Sequence, residues 1–327
     1  MNTPQEKRRE ILKDSYTKFK TAYPQFNKRK KLSYKYPKKL KHVDLSSKKM
    51  AQIPIEEPVK SVLCGTCLGD SSLRINPRYA NARIQSRHSS RQASWFFWKW
   101  TVCCSEYTNG LDSMTFQVSD GYQKNSSKKE DEENLGKLKV STKAHKDLTA
   151  LHSIICPKNK EKIERYWLNH MTDYFLMVIW LDDGSLYNTH QGCLSLDFFP
   201  KEEQEVFVNY LESVWDVKAY LKNTVELPPK AGALSARAQA RGRRLKMKDG
   251  RDLYKIYIKD QESLLNLLRI VAPLIPVKEM LYKVMFVPFN NKGLLQRWAS
   301  ELVELVQPEF RDYVKNHYET LLLGLYP

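Results

Sequence analysis

Two aspartates, Asp70 and Asp183, each close an apolar run, and such a pair could hold a divalent cation over a phosphodiester. The first run reads Leu63-Cys64-Gly65-Thr66-Cys67-Leu68-Gly69-Asp70-Ser71-Ser72, and the second Leu176-Met177-Val178-Ile179-Trp180-Leu181-Asp182-Asp183-Gly184-Ser185. Both pass from the acid through Ser or Gly to Ser. Carboxylates held close together repel unless a cation sits between them. Hard oxygen donors favour Mg²⁺. An ion so placed activates water, stabilises pentacovalent charge and neutralises a leaving oxygen. One apolar helix ending in Asp is commonplace; two, followed by the same order of elements, are specific.

Something must bring the two acids together. Gly65 and Gly69 are four residues apart, so they share a helical face and permit close backbone approach. Val178 and Asp182 hold the equivalent positions in the second run. Two such helices packed about a pseudo-dyad would place Asp70 and Asp183 side by side. After each acid-ended helix comes a basic strand, an amphipathic helix, a further strand and a helix, a self-similarity that points to duplication. Residues 82–88 alternate polar and apolar, as in a strand with one solvated basic face. Ser94 to Tyr107 is aromatic-rich and reads as a helix, Asp120 to Leu135 as a polar loop, and His145 to Ile155 and Lys160 to Thr172 as helices. In the second half, Lys201 to Trp215 is amphipathic, Asp252 to Ile258 alternates like a strand, and Gln261 to Ile270 is helical. The chain divides into an extension (1–60), a first repeat (61–170), a second repeat (171–290) and closing helices (291–327).

Charge narrows the class of partner. The chain has 327 residues with 54 Lys and Arg against 37 Asp and Glu, a formal net charge of +17. This balance favours a polyanion, nucleic acid before an anionic membrane surface. Tyr174 to Leu181 is too short to span a bilayer, and residues 1–30 lack the apolar region of a secretory signal. The extension carries Lys28-Arg29-Lys30-Lys31 and Lys38-Lys39-Leu40-Lys41, which read either as a solvated arm or as one that grips phosphates. Cys64-x-x-Cys67 admits half a zinc site or a redox pair, but the second half is missing, and buried reduced thiols fit better.

These motifs resemble the LAGLIDADG homing endonuclease family, in the branch with "LLGDGS" first and "AIWFMDDGS" second. The resemblance spans roughly residues 61–285. Gln85-Ser86-Arg87-His88-Ser89-Ser90-Arg91-Gln92 is similar to "SHS-x-KQ", and Ser141-Thr142-Lys143 with residues 155–162 to "YPxGKK". Residues 187–192 resemble "LNTQGF", 254–257 "YRIYI", and 280–283 "MxYK". The resemblance implies an α+β fold of two αββαββα repeats, with two antiparallel saddle-shaped sheets on a two-helix core. It implies that Asp70 and Asp183 bind Mg²⁺, completed by backbone carbonyls at Gly69 and Asp182. Lys162 and Lys283 would order catalytic water and stabilise phosphate charge, while Gln85 and Gln191 line the solvent pocket near the scissile bonds. The saddle would cover the DNA major groove with Arg74, Arg83, Gln85, Arg87 and Lys255, joined by His88, Arg91 and Lys143 from the matched motifs.

Three departures stand out. Ser71 replaces the Gly that follows the first acid, which would strain the helix exit if a positive φ were needed there. Arg91 replaces a Lys. The extension and the basic stretch Arg237 to Lys248 exceed what cleavage needs. The expected function is a monomeric, site-specific double-strand DNA endonuclease using Mg²⁺, encoded within an intron of an organelle genome and acting in a mitochondrion or chloroplast. The rival is a splicing maturase that binds group I intron RNA on the same fold without cutting; a basic structural partner in a ribonucleoprotein is a third reading.

Overall fold

The architecture is a computed structural model that describes residues 3–27, 32–37, 50, 52–118, 136–157, 160–187, 191–224, 250, 252–288 and 291–325. Helix α1 (Pro4–Ala22) precedes α2 (Val59–Leu68), which is followed by β1 (Ser71–Arg74) and β2 (Arg83–Ser89). Helix α3 (Ala93–Phe97) runs on as π-helical backbone over Trp98–Cys103. Strands β3 (Met114–Val118) and β4 (Gly136–Ser141) and helix α4 (Lys146–Ile155) complete the first repeat. A single short helix, α5 (Arg165–Leu168), lies within the region 160–172, where the periodicity suggests a longer one. Then come α6 (Asp173–Asp183), β5 (Gly184–Tyr187), β6 (Gln191–Leu194), α7 (Lys201–Trp215), β7 (Ala219–Asn223), β8 (Tyr254–Ile258) and α8 (Gln261–Val271). Helices α9 (Lys292–Leu305) and α10 (Arg311–Leu325) close the chain. The order αββαββα thus occurs twice. Both sheets are four-stranded and antiparallel with the same topology, β1-β2-β4-β3 and β5-β6-β8-β7.

Helices α2 and α6 form the axis of the core. Each is apolar on every side, as suits a helix with no solvent face, and Lys60 to Leu68 and Asp173 to Leu181 are all buried. Gly65 makes the contact possible: a Cβ there would meet Val178 Cβ at 3.0 Å and the Phe175 carbonyl at 3.1 Å. At the helix starts, Thr172 N–H donates to Ser61 Oγ (2.9 Å), whose hydroxyl donates to Glu57 (2.8 Å). The axis is therefore pinned by polar contacts at one end and close approach along its length, leaving its acid-bearing end to the site.

The exit from the two helices shows why Ser71 is tolerated. Among the described residues, only Asp216 has a positive φ without being glycine, so Ser71 carries no such strain. Gly184, its counterpart, has φ −78 and is required for space instead. A Cβ there would fall 2.4 Å from the Trp180 carbonyl and 2.5 Å from its ring. The first helix has Cys67 where the second has Trp180, so the same exit accommodates a serine.

The N-terminal extension is not a solvated arm over residues 3–27. Thr3 and Glu6 form a reciprocal capping box that starts α1. Leu12 and Phe19 are buried, and the Phe19 ring lies 5.8 Å from Phe97. The two lysine clusters lie outside the described residues, as do all of Asp120 to Leu135 and all of Ala236 to Lys248. No helix among the described residues is long and apolar enough to cross a membrane.

The helix contact makes a direct prediction. Gly65→Val forces two backbones apart and should lower stability by about 1–3 kcal/mol, the usual cost of overpacking a core. A urea denaturation midpoint equal to that of the parent would refute this.

Candidate metal centre and nucleic-acid face

The acid-ended helices converge as their sequence pattern requires. A Cβ on Gly69 would fall 2.3 Å from Asp183 Oδ2 and 3.2 Å from Asp182 Cβ, so the missing side chain is what admits the opposite acids. The backbones after the two acids are held alike: Arg87 N–H donates to the Asp70 carbonyl (3.4 Å) and Ser195 N–H to that of Asp183 (3.1 Å). Asp70 and Asp183 thus occupy equivalent places about the pseudo-dyad, each immediately before the first strand of its sheet.

Asp182 is committed to a different partner. Lys99 Nζ donates to both of its carboxylate oxygens (2.7 and 3.0 Å), and Trp95 Nε1 donates to one of them (2.7 Å). The Lys99 and Asp182 side chains are both 0% exposed. Lys99 sits on the π-helical stretch, a rare backbone form that is frequent at functional sites. The sequence reading missed it. The available signal was a lysine inside the aromatic run Trp95 to Trp100, since a lysine in such surroundings needs an acid.

Crowding shifts the acids. Burial, then the charge of Asp182, raises Asp70 to about 6, while Lys99 and Lys283 oppose the rise. Burial, then Asp182 and Asp70, raises Asp183 to about 8. Lys283 is buried near all three acids, and its Nζ donates to the Gly184 carbonyl; burial lowers its pKa. The segment bearing it is anchored by Trp180 Nε1 to the Lys283 carbonyl (2.9 Å) and Trp298 Nε1 to that of Val284 (3.1 Å). Tyr318 donates to the Phe286 carbonyl at 2.9 Å. The closing helices therefore steady a site lysine.

The donor set fits a divalent cation. Among the described residues, Asp183 Oδ2 is buried without a hydrogen-bond partner, and neither ring nitrogen of buried His88 makes a well-formed one. Ligand atoms of Asp70, His88 and Asp182 lie within 4.8 Å of one another. Orphaned buried polar atoms around raised carboxyls are what a cation would satisfy.

The other predicted residues divide by register. Arg74, Arg83, Gln85 and Arg87 share the solvent face of the first sheet, because Leu73, Ile84, Ser86 and His88 point inward. Arg74, Gln85, Arg87 and Lys139 line a groove-floor cavity of about 720 Å³ that opens beside Asp70. Lys139 pairs in register with both Arg87 and Thr115 and belongs to this face, though no motif singles it out. His88, expected to face DNA, is instead buried on the inner side of β2 by strand alternation. Arg91 is exposed on the turn after β2, and Lys143 is exposed beyond the end of β4. Lys255 lies on the solvent face of the second sheet opposite Lys222, beside a Tyr220–Tyr257 stack with centroids 5.9 Å apart.

Two expected site residues are not brought to the acids. Lys162 pairs with Glu164 at 2.5 Å, with side chains 47% and 29% exposed. Its pKa is raised first by Glu164 and then by Glu203 and Tyr166, groups that lie apart from the paired acids. Gln191 pairs in register with Tyr187 at the far end of β5, while Leu194 is the partner of Gly184 beside the acid. That separation is roughly 10 Å along the strand. Gln191 bonds the Tyr220 hydroxyl (2.9 Å), and Cys193 occupies the place equivalent to Gln85.

Two measurements check this electrostatic picture. Lys99→Met leaves the Asp182 charge buried without its counter-ion and should cost about 3–5 kcal/mol, whereas Lys162→Met should cost less than about 1 kcal/mol. Equal denaturation midpoints for the two variants would contradict it. The Asp183 carboxyl binds its proton more tightly folded than unfolded, so the unfolded chain holds fewer protons between the ordinary value of 3.8 and about 8. Metal-free stability contributed by this group is therefore present below pH about 4 and lost as pH rises towards about 8. Asp183→Asn should flatten that decline and stabilise the chelator-treated protein at pH 8; an unchanged slope would remove the assignment.

The comparisons agree with this architecture. The LAGLIDADG DNA endonuclease family model matches residues 60–228. Among solved structures, the homing endonuclease I-WcaI bound to its DNA recognition sequence superposes with a TM-score of 0.53 at 19% identity, covering 75% of this chain and 94% of that one. At that identity the likeness bears on fold alone. A comparison with curated proteins finds no match. With the matched segment spanning the first repeat and continuing through the second acid-ended helix into β7, the chain belongs to the LAGLIDADG DNA endonuclease family.

Proposed function

We propose that the protein is a site-specific endonuclease that breaks both strands of DNA by Mg²⁺-dependent hydrolysis at a long asymmetric site, working as a monomer. The observation that carries this reading is the convergence of Asp70 and Asp183 at the midline between two solvent-faced sheets. Asp70 and Asp183 would hold the cation, with the Gly69 and Asp182 backbones beside them. A bound divalent ion supplies charge neutralisation at the phosphate and a more acidic water.

The chain's own groups do the rest. Lys283 carries an ammonium beside the acids, where it meets charge developing on phosphate. Arg74, Arg87 and Lys139 neutralise backbone phosphates along the first sheet, and Gln85 offers an amide to a base edge. The two halves present unlike surfaces, arginine-rich in the first and bearing stacked tyrosines beside lysines in the second, which supports an asymmetric target.

The maturase reading is favoured by one feature of the sequence, the basic stretches Lys28 to Lys31 and Arg237 to Lys248, which add cations beyond those of the matched motifs. Purified protein incubated with Mg²⁺ and a DNA library that includes intron-insertion sites separates the two. Cleavage that chelator abolishes is expected. Asp70→Asn and Asp183→Asn should each slow it by at least about 100-fold, beyond the loss typical of groups that only support a metal ligand. Both variants should retain salt-sensitive DNA binding. Failure to cut any DNA, together with tight binding of a structured group I intron RNA, would transfer the assignment to the maturase.

A further inference from the structure

The two acids have unlike neighbours. Asp70 and Asp183 are equivalent, and so are the residues whose N–H groups bond their carbonyls, Arg87 and Ser195. The residues that follow, His88 and Leu196, therefore correspond about the pseudo-dyad, and both are buried. One repeat places an imidazole beside its acid; the other places a leucine there.

His88 is not accounted for as a packing residue. Its side chain is 0% exposed; Gln92 is its side-chain hydrogen-bonding neighbour, and neither ring nitrogen makes a well-formed bond among the described residues. Leaving a buried nitrogen unsatisfied is costly in an interior, and the one Gln92 side chain can serve only one of the two, so packing leaves the other unexplained. Nδ1 stands 3.5 Å from Asp70 Oδ2. That separation is too long for a good hydrogen bond and suits two donors each about 2.1 Å from one ion. The Asp70 carboxylate is 39% exposed and gives an ion a route in from the groove.

We infer that His88 is a nitrogen ligand to a divalent ion held by Asp70, so that the first repeat carries a mixed nitrogen–oxygen site selective for transition ions such as Mn²⁺ or Co²⁺, while the second carries an oxygen-only site. The inference rests on Asp70 being a metal-binding acid. Imidazole raises affinity for later first-row ions far more than for Mg²⁺. The two sites then fill unequally, and the two strands of a target would be cut with different ion dependence.

The test is metal binding to the whole chain without DNA. Mn²⁺-loaded protein examined by electron spin echo spectroscopy should show coupling to an imidazole nitrogen. In calorimetric titrations, His88→Leu should weaken Co²⁺ binding at one site by about 10- to 100-fold and leave Mg²⁺ binding within about twofold. The substitution copies the residue that the second repeat already buries, and the nitrogen signal of the unaltered protein stands even if the variant fails to fold. Absence of that signal overturns the inference, as does an equal loss of Co²⁺ and Mg²⁺ affinity, which would make His88 a positioning residue for Asp70. Both failures leave Mg²⁺-dependent cleavage untouched, whereas a chain that binds no divalent ion at all would remove the cleavage proposal too.

Discussion

Close approach of α2 and α6 is the constraint on which the other features depend. Gly65 and Gly69 remove two side chains from the first helix, and Val178, Asp182 and Asp183 of the second fill the space they leave. The helices bury nearly all of their surface, so neither has a stable position without the other. Each sheet starts within a residue or two of a helix end, which fixes the strand register relative to the acids. A one-residue slip would turn Arg83, Gln85 and Arg87 inward and carry Ile84 and Ser86 to solvent.

This packing concentrates charge in a region with little water. Three carboxylates and two ammonium groups meet at the helix ends, and the protein answers in two ways. Asp182 is neutralised permanently by Lys99, with Trp95 sharing its oxygens. Asp70 and Asp183 have no such partner and bear raised pKa values. The permanent pair keeps Lys99 close enough to oppose the rise in both neighbours. The acids left without a fixed counter-ion are the ones available to a cation.

The two repeats share a backbone and differ in chemistry. Cys67 in one stands where Trp180 stands in the other, which decides whether the helix exit can bear a side chain. Gln85 corresponds to Cys193, and His88 to Leu196. The flanking elements are also unequal. Helix α1 packs on the aromatic helix of the first repeat, whereas the closing helices support the Lys283 segment of the second. A duplicated scaffold has thus diverged at the positions nearest its own symmetry axis.

The sequence by itself determined the repeat, the acid pair and the basic strand face, whereas the full αββαββα order was implied by the family resemblance, since the local pattern shows only two strands in each repeat. These are written in local signals: apolar runs ending in Asp, glycines at helical spacing, and alternation along Arg83 to Arg87. The length of α5 was not legible, because the apolar spacing of residues 160–172 suits packing without helix. Strict alternation would have set His88 inward, opposite Gln85 and Arg87, but its place in a matched motif suggested the DNA face. Lys162 and Gln191 looked equivalent to Lys283 and Gln85 by motif, yet a site is defined by distance, and the tertiary structure gave Lys162 to Glu164 and moved Gln191 along its strand. The lysine inside the Trp95 to Trp100 run hints at a buried ion pair, but which acid Lys99 meets could be identified only in three dimensions. Its partner lies 83 residues away on the other repeat's helix, and ion pairing over such a separation leaves no periodicity in either segment.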